Sequence, residues 1–267
     1  MRYYPELLEK QISGYEAAGL DWRRTAEEKV FPYLENHLPV MRMASEALPH
    51  VCGLIYERAI RALALDFPIT FVIYVGIGCG AGWATQYGSS PACLLGLEKI
   101  AELGWDSEDR LRELLSHEVG HLVHMKWRDE LGIFEAHEED PLFLLLSEGF
   151  AKRCEYLIFG AETWNQSDGE DWVHWCGRNK AWLAREYLNR VDERQAMNDF
   201  FGDWLDIRGR KQTGYFLALA FIRWLEEKYD TRQIAVLGSE VLQEEARSYL
   251  SSLAATLAED RGARGNG

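Results

Sequence analysis

The sequence predicts an α+β fold that is mainly α-helical and contains one small mixed β-sheet. Apolar residues recur at helical spacing over most of the chain. One short run, FPITFVIYVG at 67–76, is instead rich in β-branched and aromatic residues and ends in glycine, as a buried strand does. Two more short segments follow it. Residues 83–88 and 92–100 suit two further strands, or a strand and the start of a helix.

The N-terminal part of the chain is predicted to be helical. Residues 1–19 and 22–65 keep a helical period, with interruptions expected near Pro39 and Pro49. These residues carry many charges and no recognisable catalytic or binding motif. We therefore interpret them as a scaffold.

A glycine-rich segment, GIGCGAG at 76–82, comes directly after the first predicted strand. Its spacing fits neither the dinucleotide-binding pattern nor the P-loop, and no lysine follows it. A flexible turn between two strands is therefore favoured over a phosphate-binding loop.

Residues 107–128 are predicted to form a helix that carries His117, Glu118 and His121 in a His-Glu-x-x-His pattern. Ser107 suits an N-cap, and the acidic residues after it suit the first turn. The two histidines are four residues apart, so they lie one turn apart on one face. Two neutral imidazoles in this arrangement can bind one Zn²⁺, and Glu118 can act on a water there without being a ligand. The alternative is a pair of hydrogen-bonded core histidines.

A second helix is predicted to begin after Asp140, with Pro141 at its first position, and to run to Gly160. It is apolar almost all round, so we expect it to be buried. Glu148 lies in its middle, and a buried carboxylate needs a cation or several hydrogen bonds. Glu148 is therefore either paired with Lys152 or the third zinc ligand, and the two upstream histidines favour the ligand. Two imidazoles and one carboxylate leave a coordination position for water, as catalytic zinc sites do.

The polar loop at 129–140 offers a second candidate metal site. His137 is followed by three acidic residues at 138–140. A solvated acidic loop is the commoner structure for such a sequence.

Two amphipathic helices are predicted near the C-terminus, at 211–228 and 238–259. The expected organisation has four segments: an N-terminal helical scaffold (1–65), a sheet with the metal-binding helices (66–160), a helical part that completes the cleft (161–260), and a disordered tail (261–267).

Composition narrows the class of partner and the compartment. The net charge is −14 and no basic patch stands out, which argues against nucleic acid. No apolar run approaches the roughly 20 residues that span a bilayer, and the first residues lack the features of a secretory signal. We therefore expect no membrane partner and a cytoplasmic location. Five cysteines without C-x-x-C spacing favour reduced, mostly buried thiols.

The motifs HEVGH at 117–121 and SEGFA at 147–151 together resemble those of gluzincin-type zinc metallopeptidases. In that group the third ligand is a glutamate on a second helix downstream, often within Glu-Gly-x-Ala. More narrowly, the chain is similar to bacterial predicted zinc-dependent proteases of an uncharacterised-domain family. A later Gly-Tyr helix recurs in those proteins and matches Gly214-Tyr215 here. The resemblance covers roughly residues 67–228.

The resemblance implies a zincin-like fold in which a small sheet packs on the histidine helix and an edge strand can pair with extended substrate. It implies one Zn²⁺ per chain and a peptide or protein substrate. It also suggests Tyr215 as the donor to the developing oxyanion, with His174 and Tyr156 as competitors. Ordinary helix packing is an equal alternative for Tyr215.

Two departures from related enzymes are visible. Thermolysin-like enzymes carry an aspartate four residues after the third ligand to orient a histidine, and Lys152 stands at that position here. The metzincin extension fails because His124 and Trp127 replace its glycine and its third histidine. We assign His124 no role. Ligand histidines usually donate their other ring N–H to a carboxylate or carbonyl, and Glu155 is a candidate for that contact.

The sequence thus predicts a zinc-dependent metallopeptidase that hydrolyses peptide bonds with a metal-activated water and Glu118 as the general base. One alternative is a zinc hydrolase of a non-peptide amide. Another is a non-catalytic, zinc-stabilised binding protein. The intact Glu118 argues against the last, because a purely structural site has no use for a base.

Overall fold

A computed structural model describes residues 5–17, 19–164, 169–202 and 205–264 of the chain. The predicted α+β, mainly helical class is confirmed. The elements in chain order are α1 (Pro5–Ala17), α2 (Trp22–Thr25), a π-helical turn (Ala26–Val30), a 3₁₀ turn (Phe31–Tyr33), α3 (Leu34–Leu63), β1 (Thr70–Tyr74), β2 (Gly82–Tyr87), β3 (Ser90–Gly96), α4 (Leu97–Leu103), α5 (Glu108–Arg128), α6 (Phe134–His137), α7 (Pro141–Phe159), α8 (Gly169–Glu193), α9 (Asn198–Phe201), α10 (Thr213–Glu226), α11 (Thr231–Ala235) and α12 (Ser239–Arg264).

The chain forms two compact units. One comprises Met1–Val123 with Cys154–Ala161, and the other comprises His124–Arg153 with Glu162–Gly267. The boundaries fall inside α5 and inside α7, so each of these two helices contributes residues to both units.

The first unit contains a three-stranded mixed sheet in the order β1-β3-β2. The central strand β3 is parallel to β1, with Thr70 opposite Ala92, and antiparallel to β2, with Gly82 opposite Leu95. All three predicted strands are present. The segment 92–100 is a strand as far as Gly96 and then begins helix α4, so it combines the two expected possibilities.

Helix α1 covers one face of this sheet. Leu7 packs with Val72, Tyr74 and Leu94 in one apolar cluster. Side chains alternate between faces along a strand, so Leu95 and its partner Gly82 in β2 face the opposite way from Leu94. On that face Gly82 lies against Leu114 and Glu118 of α5. The sheet therefore packs on the histidine helix, as expected.

Helix α3 runs without a break through Pro39 and Pro49, so the predicted interruptions there are wrong. The helical path is irregular instead at 26–33, where the π-helical and 3₁₀ turns precede α3. One stripe of α3 is completely buried, and its residues include Leu48, Val51, Ile55 and Ala59. Burial of this stripe offsets the hydrogen bonds that the two prolines remove, because tertiary packing contributes most of a helix's stability.

The second unit is helical in the part of the chain that the structure describes, apart from its turns and one isolated bridge between Ile207 and Arg210. The hydroxyl of Tyr187 in α8 donates to the carbonyl of Pro141 at the start of α7, at 2.6 Å. The hydroxyl of Tyr249 in α12 donates to Leu217 O in α10, at 3.2 Å.

The C-terminal helices agree with the predicted segments apart from their ends. Helix α12 continues to Arg264, into the segment expected to be a disordered tail. The last three residues of that segment, 265–267, lie outside the described residues.

Four of the five cysteines are buried and Cys79 is half-buried, which agrees with the predicted mostly buried thiols. Among the described residues, no helix combines the length and apolar character needed to cross a membrane.

Candidate metal centre

Helix α5 places the two histidines of the predicted pattern. Ser107 caps the start of the helix: its Oγ accepts a hydrogen bond from the amide of Arg110 at 3.4 Å. The first turn carries acidic residues and the last turn basic ones, which suits the helix dipole. The side chains that anchor its apolar stripe are completely buried: Leu111, Leu115, Val119 and Leu122. The predicted helix at 107–128 is confirmed.

The two imidazoles converge through their Nε2 atoms. His117 Nε2 and His121 Nε2 are 3.2 Å apart, and the rings meet edge to face. Two nitrogens bound to one tetrahedral zinc at 2.0–2.1 Å would be separated by about 3.3 Å. The same distance suits a hydrogen bond between two neutral rings, which is the core-histidine alternative. His121 is buried and His117 is half-buried.

Glu148 completes a group of three potential ligands. Asp140 Oδ1 accepts from the amide of Leu142 at 2.9 Å and caps α7, whose first residue is Pro141, as predicted. Glu148 is half-buried rather than fully buried. Ligand atoms of His117, His121 and Glu148 all lie within 4.8 Å of one another, and among the described residues no other group of His, Cys, Asp and Glu side chains has this property.

These donors fit a zinc ion. Two imidazoles and one carboxylate are the set found in catalytic zinc sites. The Nε2 atoms of the two histidines are already at the spacing that the ion would need. The group therefore supports a metal site, while the identity of the metal rests on ligand chemistry alone.

Glu118, the predicted general base, lies against the first residue of β2. A Cβ atom on Gly82 would lie 2.6 Å from Glu118 Oε1 and 2.8 Å from Glu118 Cγ. Any larger residue at this position would force the Glu118 and Leu114 side chains to shift. Burial raises the pKa of the Cys93 thiol in β3, and the negative charge of Glu118 raises it further. The Glu118 carboxylate is therefore close to the sheet.

Glu155 lies beside the first histidine. Its Oε2 is 3.5 Å from His117 Nδ1, and the side chain is 1% exposed. The sequence predicted Glu155 as a candidate partner of a ligand histidine, and the structure brings these two residues together.

His124, to which the sequence analysis gave no role, is a core residue. It is completely buried, and its Nε2 lies 3.1 Å from Ala235 O. Its ring packs on Phe134 and Phe150, with centroids 4.8 Å and 4.6 Å away. These contacts belong to the packing of the second unit.

Tyr215 lies in the first turn of α10, half-buried and packed edge to face on Phe201. Of its competitors, Tyr156 is buried in α7 and His174 is exposed on α8. A Cβ on Gly149 would lie 2.3 Å from Ala218 O, so α10 passes α7 at the residue next to Glu148. Tyr215 is three residues before that close contact, and its catalytic role stays a prediction.

The acidic loop around His137 is organised by contacts within the chain. His137 Nδ1 lies 3.3 Å from Glu130 Oε2, and Glu138 Oε1 accepts from Ser147 Oγ at 2.6 Å. The loop also contains the short helix α6. Residues 137–140 form no potential metal group among the described residues, so the second metal site is not supported.

The glycine-rich loop joins β1 to β2, and three side chains hold it. The amide of Ile77 donates to Gln11 Oε1 at 2.9 Å, and the Tyr15 hydroxyl donates to Ile77 O at 2.9 Å. The amide of Gly78 donates to Glu98 Oε1 at 3.0 Å. A carboxylate at these amides would repel a phosphate, which supports the turn rather than an anion site. Burial is the main influence on Glu98 and raises the pKa of its carboxyl.

Comparison with known proteins gives no relative. No protein-family model matches the chain, and no match is found among curated proteins or solved structures.

Proposed function

We propose that the protein is a zinc-dependent metallopeptidase. The observation that carries the proposal is the group of His117, His121 and Glu148, with Glu118 next to the first ligand in sequence. When bound, zinc would polarise a substrate carbonyl and lower the pKa of a water molecule. The three side chains would hold the ion and leave a coordination position open for that chemistry.

Glu118 supplies the proton transfers. Its carboxylate takes a proton from the attacking water and passes it to the leaving amine. This side chain is 8% exposed and lies against Gly82, so burial restricts its orientation before substrate arrives. Tyr215 is proposed to donate to the developing oxyanion.

Strand β2 offers a place for an extended peptide. It is at the edge of the sheet order β1-β3-β2, and it begins at Gly82 beside Glu118. An extended peptide can add to the edge of a sheet through main-chain hydrogen bonds. A peptide bound along β2 would pass close to the proposed base.

The test compares the wild-type protein with His121→Ala, Glu118→Gln and His50→Ala. His50 is exposed on α3 and serves as the matched control. We expect about one zinc per chain in the wild type, Glu118→Gln and His50→Ala by elemental analysis, and loss of zinc in His121→Ala. We expect cleavage of a peptide library by the wild type and His50→Ala only, because a positioned acid–base group typically contributes 10²–10⁴-fold.

Three outcomes would contradict the proposal in different ways. If the wild type takes up no zinc even when zinc is added, the histidines are core residues. If zinc binds but cleavage survives in Glu118→Gln, the assignment of the base is wrong. If zinc binds and no peptide is cut, a screen of non-peptide amides separates another zinc hydrolase from a zinc-stabilised binding protein.

A further inference from the structure

The two ring nitrogens of His117 face different partners. Nε2 lies 3.2 Å from His121 Nε2, on the side of the proposed metal. Nδ1 lies 3.5 Å from Glu155 Oε2. An imidazole that binds a metal through one nitrogen carries a proton on the other, and that proton needs an acceptor.

Glu155 is suited to be that acceptor. It is 1% exposed, so its carboxylate would be costly to bury without a donor beside it. It lies seven residues after Glu148 on the same helix, close to two full turns, so both carboxylates lie on the same side of α7.

The residue one turn after Glu148 is not available for this role. That position is Lys152, which is a donor and carries no acceptor. Its Nζ lies 5.3 Å from the centre of the Trp164 ring. The chain thus places a cation one turn after Glu148, and a carboxylate follows less than one turn later.

We propose that Glu155 is the positioning residue for His117: its carboxylate accepts a hydrogen bond from the Nδ1–H group, fixes the tautomer and orients Nε2 towards the position that the metal would take. The inference rests on the proposed zinc site and deepens it. Glu155 itself binds neither metal nor substrate. Its contribution is therefore measured by zinc affinity rather than by turnover alone.

The first test is zinc affinity in Glu155→Gln, measured by competition with a chromophoric chelator. Loss of such an outer carboxylate typically weakens metal binding by 10–100-fold. The matched control is Glu98→Gln, because Glu98 is also a buried carboxylate of the same unit but contacts the glycine-rich loop. We expect Glu98→Gln to bind zinc within about threefold of the wild type and His121→Ala to lose binding.

The second test uses the wild type and does not depend on a variant that folds. Long-range ¹H–¹⁵N NMR of the zinc-loaded protein should show the His117 proton on Nδ1 and the metal on Nε2. A proton on Nε2 with the metal on Nδ1 would overturn the proposal. So would wild-type zinc affinity in a folded Glu155→Gln. In both cases zinc binding itself, and with it the proposed function, would stand.

Discussion

Gly149 marks the closest approach of two helices. The Cβ atom of any other residue there would lie 2.3 Å from Ala218 O and 2.9 Å from Ile222 Cγ1. Backbone cannot move aside as a flexible side chain can. The glycine that follows the proposed ligand Glu148 is therefore explained by packing, with no need for a chemical role.

Gly149→Ala should destabilise the protein. Overpacking a close contact typically costs about 1–3 kcal/mol of unfolding free energy. Gly177 in α8 is the matched control, because its Cβ would meet only Phe216 Cζ at 4.0 Å. Gly177→Ala should stabilise by about 0.5–1 kcal/mol, since alanine loses less entropy in a helix. Chemical denaturation measures both changes. A Gly149→Ala variant as stable as the wild type would contradict the helix contact.

At this scale the sequence predicted the three candidate ligands and the contact of Glu155 with His117, but not the other contacts around them. His117, His121 and Glu148 follow a residue spacing that local helical geometry makes meaningful. The contacts of Gln11, Tyr15 and Glu98 with the glycine-rich loop join residues more than 19 positions apart, so no local sequence pattern predicts them. The same is true of Gly82 against Glu118.

At the scale of elements, α3 is the part that the sequence rules described least well. Pro39 and Pro49 signal interruptions by their local chemistry, since each lacks an amide hydrogen and crowds the preceding turn. The helix nevertheless continues through both. The apolar stripe of α3 is long enough to decide the outcome, and such a tertiary effect cannot be seen in a window of a few residues.

Pro49→Ala should therefore stabilise the protein. Pro49 is exposed, so its ring contributes little packing, whereas alanine restores an amide that can bond the carbonyl of Ser45. A proline in a helix interior is about 3 kcal/mol less favourable than alanine, which sets the upper limit of the gain. Glu46→Ala, an exposed change on the same helix, should alter the free energy of unfolding by less than about 0.5 kcal/mol. If Pro49→Ala is destabilising, the ring contributes to packing after all.

At the scale of the whole molecule, buried thiols make stability depend on pH. Burial raises the pKa of Cys52 and of Cys176 from 9.0 to about 12. Burial followed by the Glu98 charge raises the pKa of Cys79 to about 11. Above pH 9 the unfolded chain releases these protons while the folded chain keeps them, so rising pH favours unfolding. The stabilisation is complete below pH 9 and is lost as the pH rises towards the folded values.

The urea midpoint should accordingly fall between pH 8 and pH 11. A Cys52→Ala/Cys176→Ala double variant should be less stable at pH 8, because two buried sulfurs are lost, but its midpoint should fall less over the same range. The comparison is between the two slopes, so the cost of the cavities cancels. Equal slopes would mean that these thiols ionise as readily in the folded chain as in the unfolded one.

The global features were the easiest to predict. The fold class, the three strands and the helices around both motifs follow from periodicity and composition. The two compact units do not, because their boundaries fall inside α5 and α7, where helical periodicity is continuous and gives no signal.

The close contact between Gly82 and Glu118 constrains how this protein can evolve. A side chain at position 82 would occupy the space of the Glu118 carboxylate, 2.6 Å from Oε1. A lineage that kept the acid could not readily drift away from glycine at 82. A lineage that lost the acid would no longer be restricted at position 82. Substitutions at positions 82 and 118 should therefore occur together.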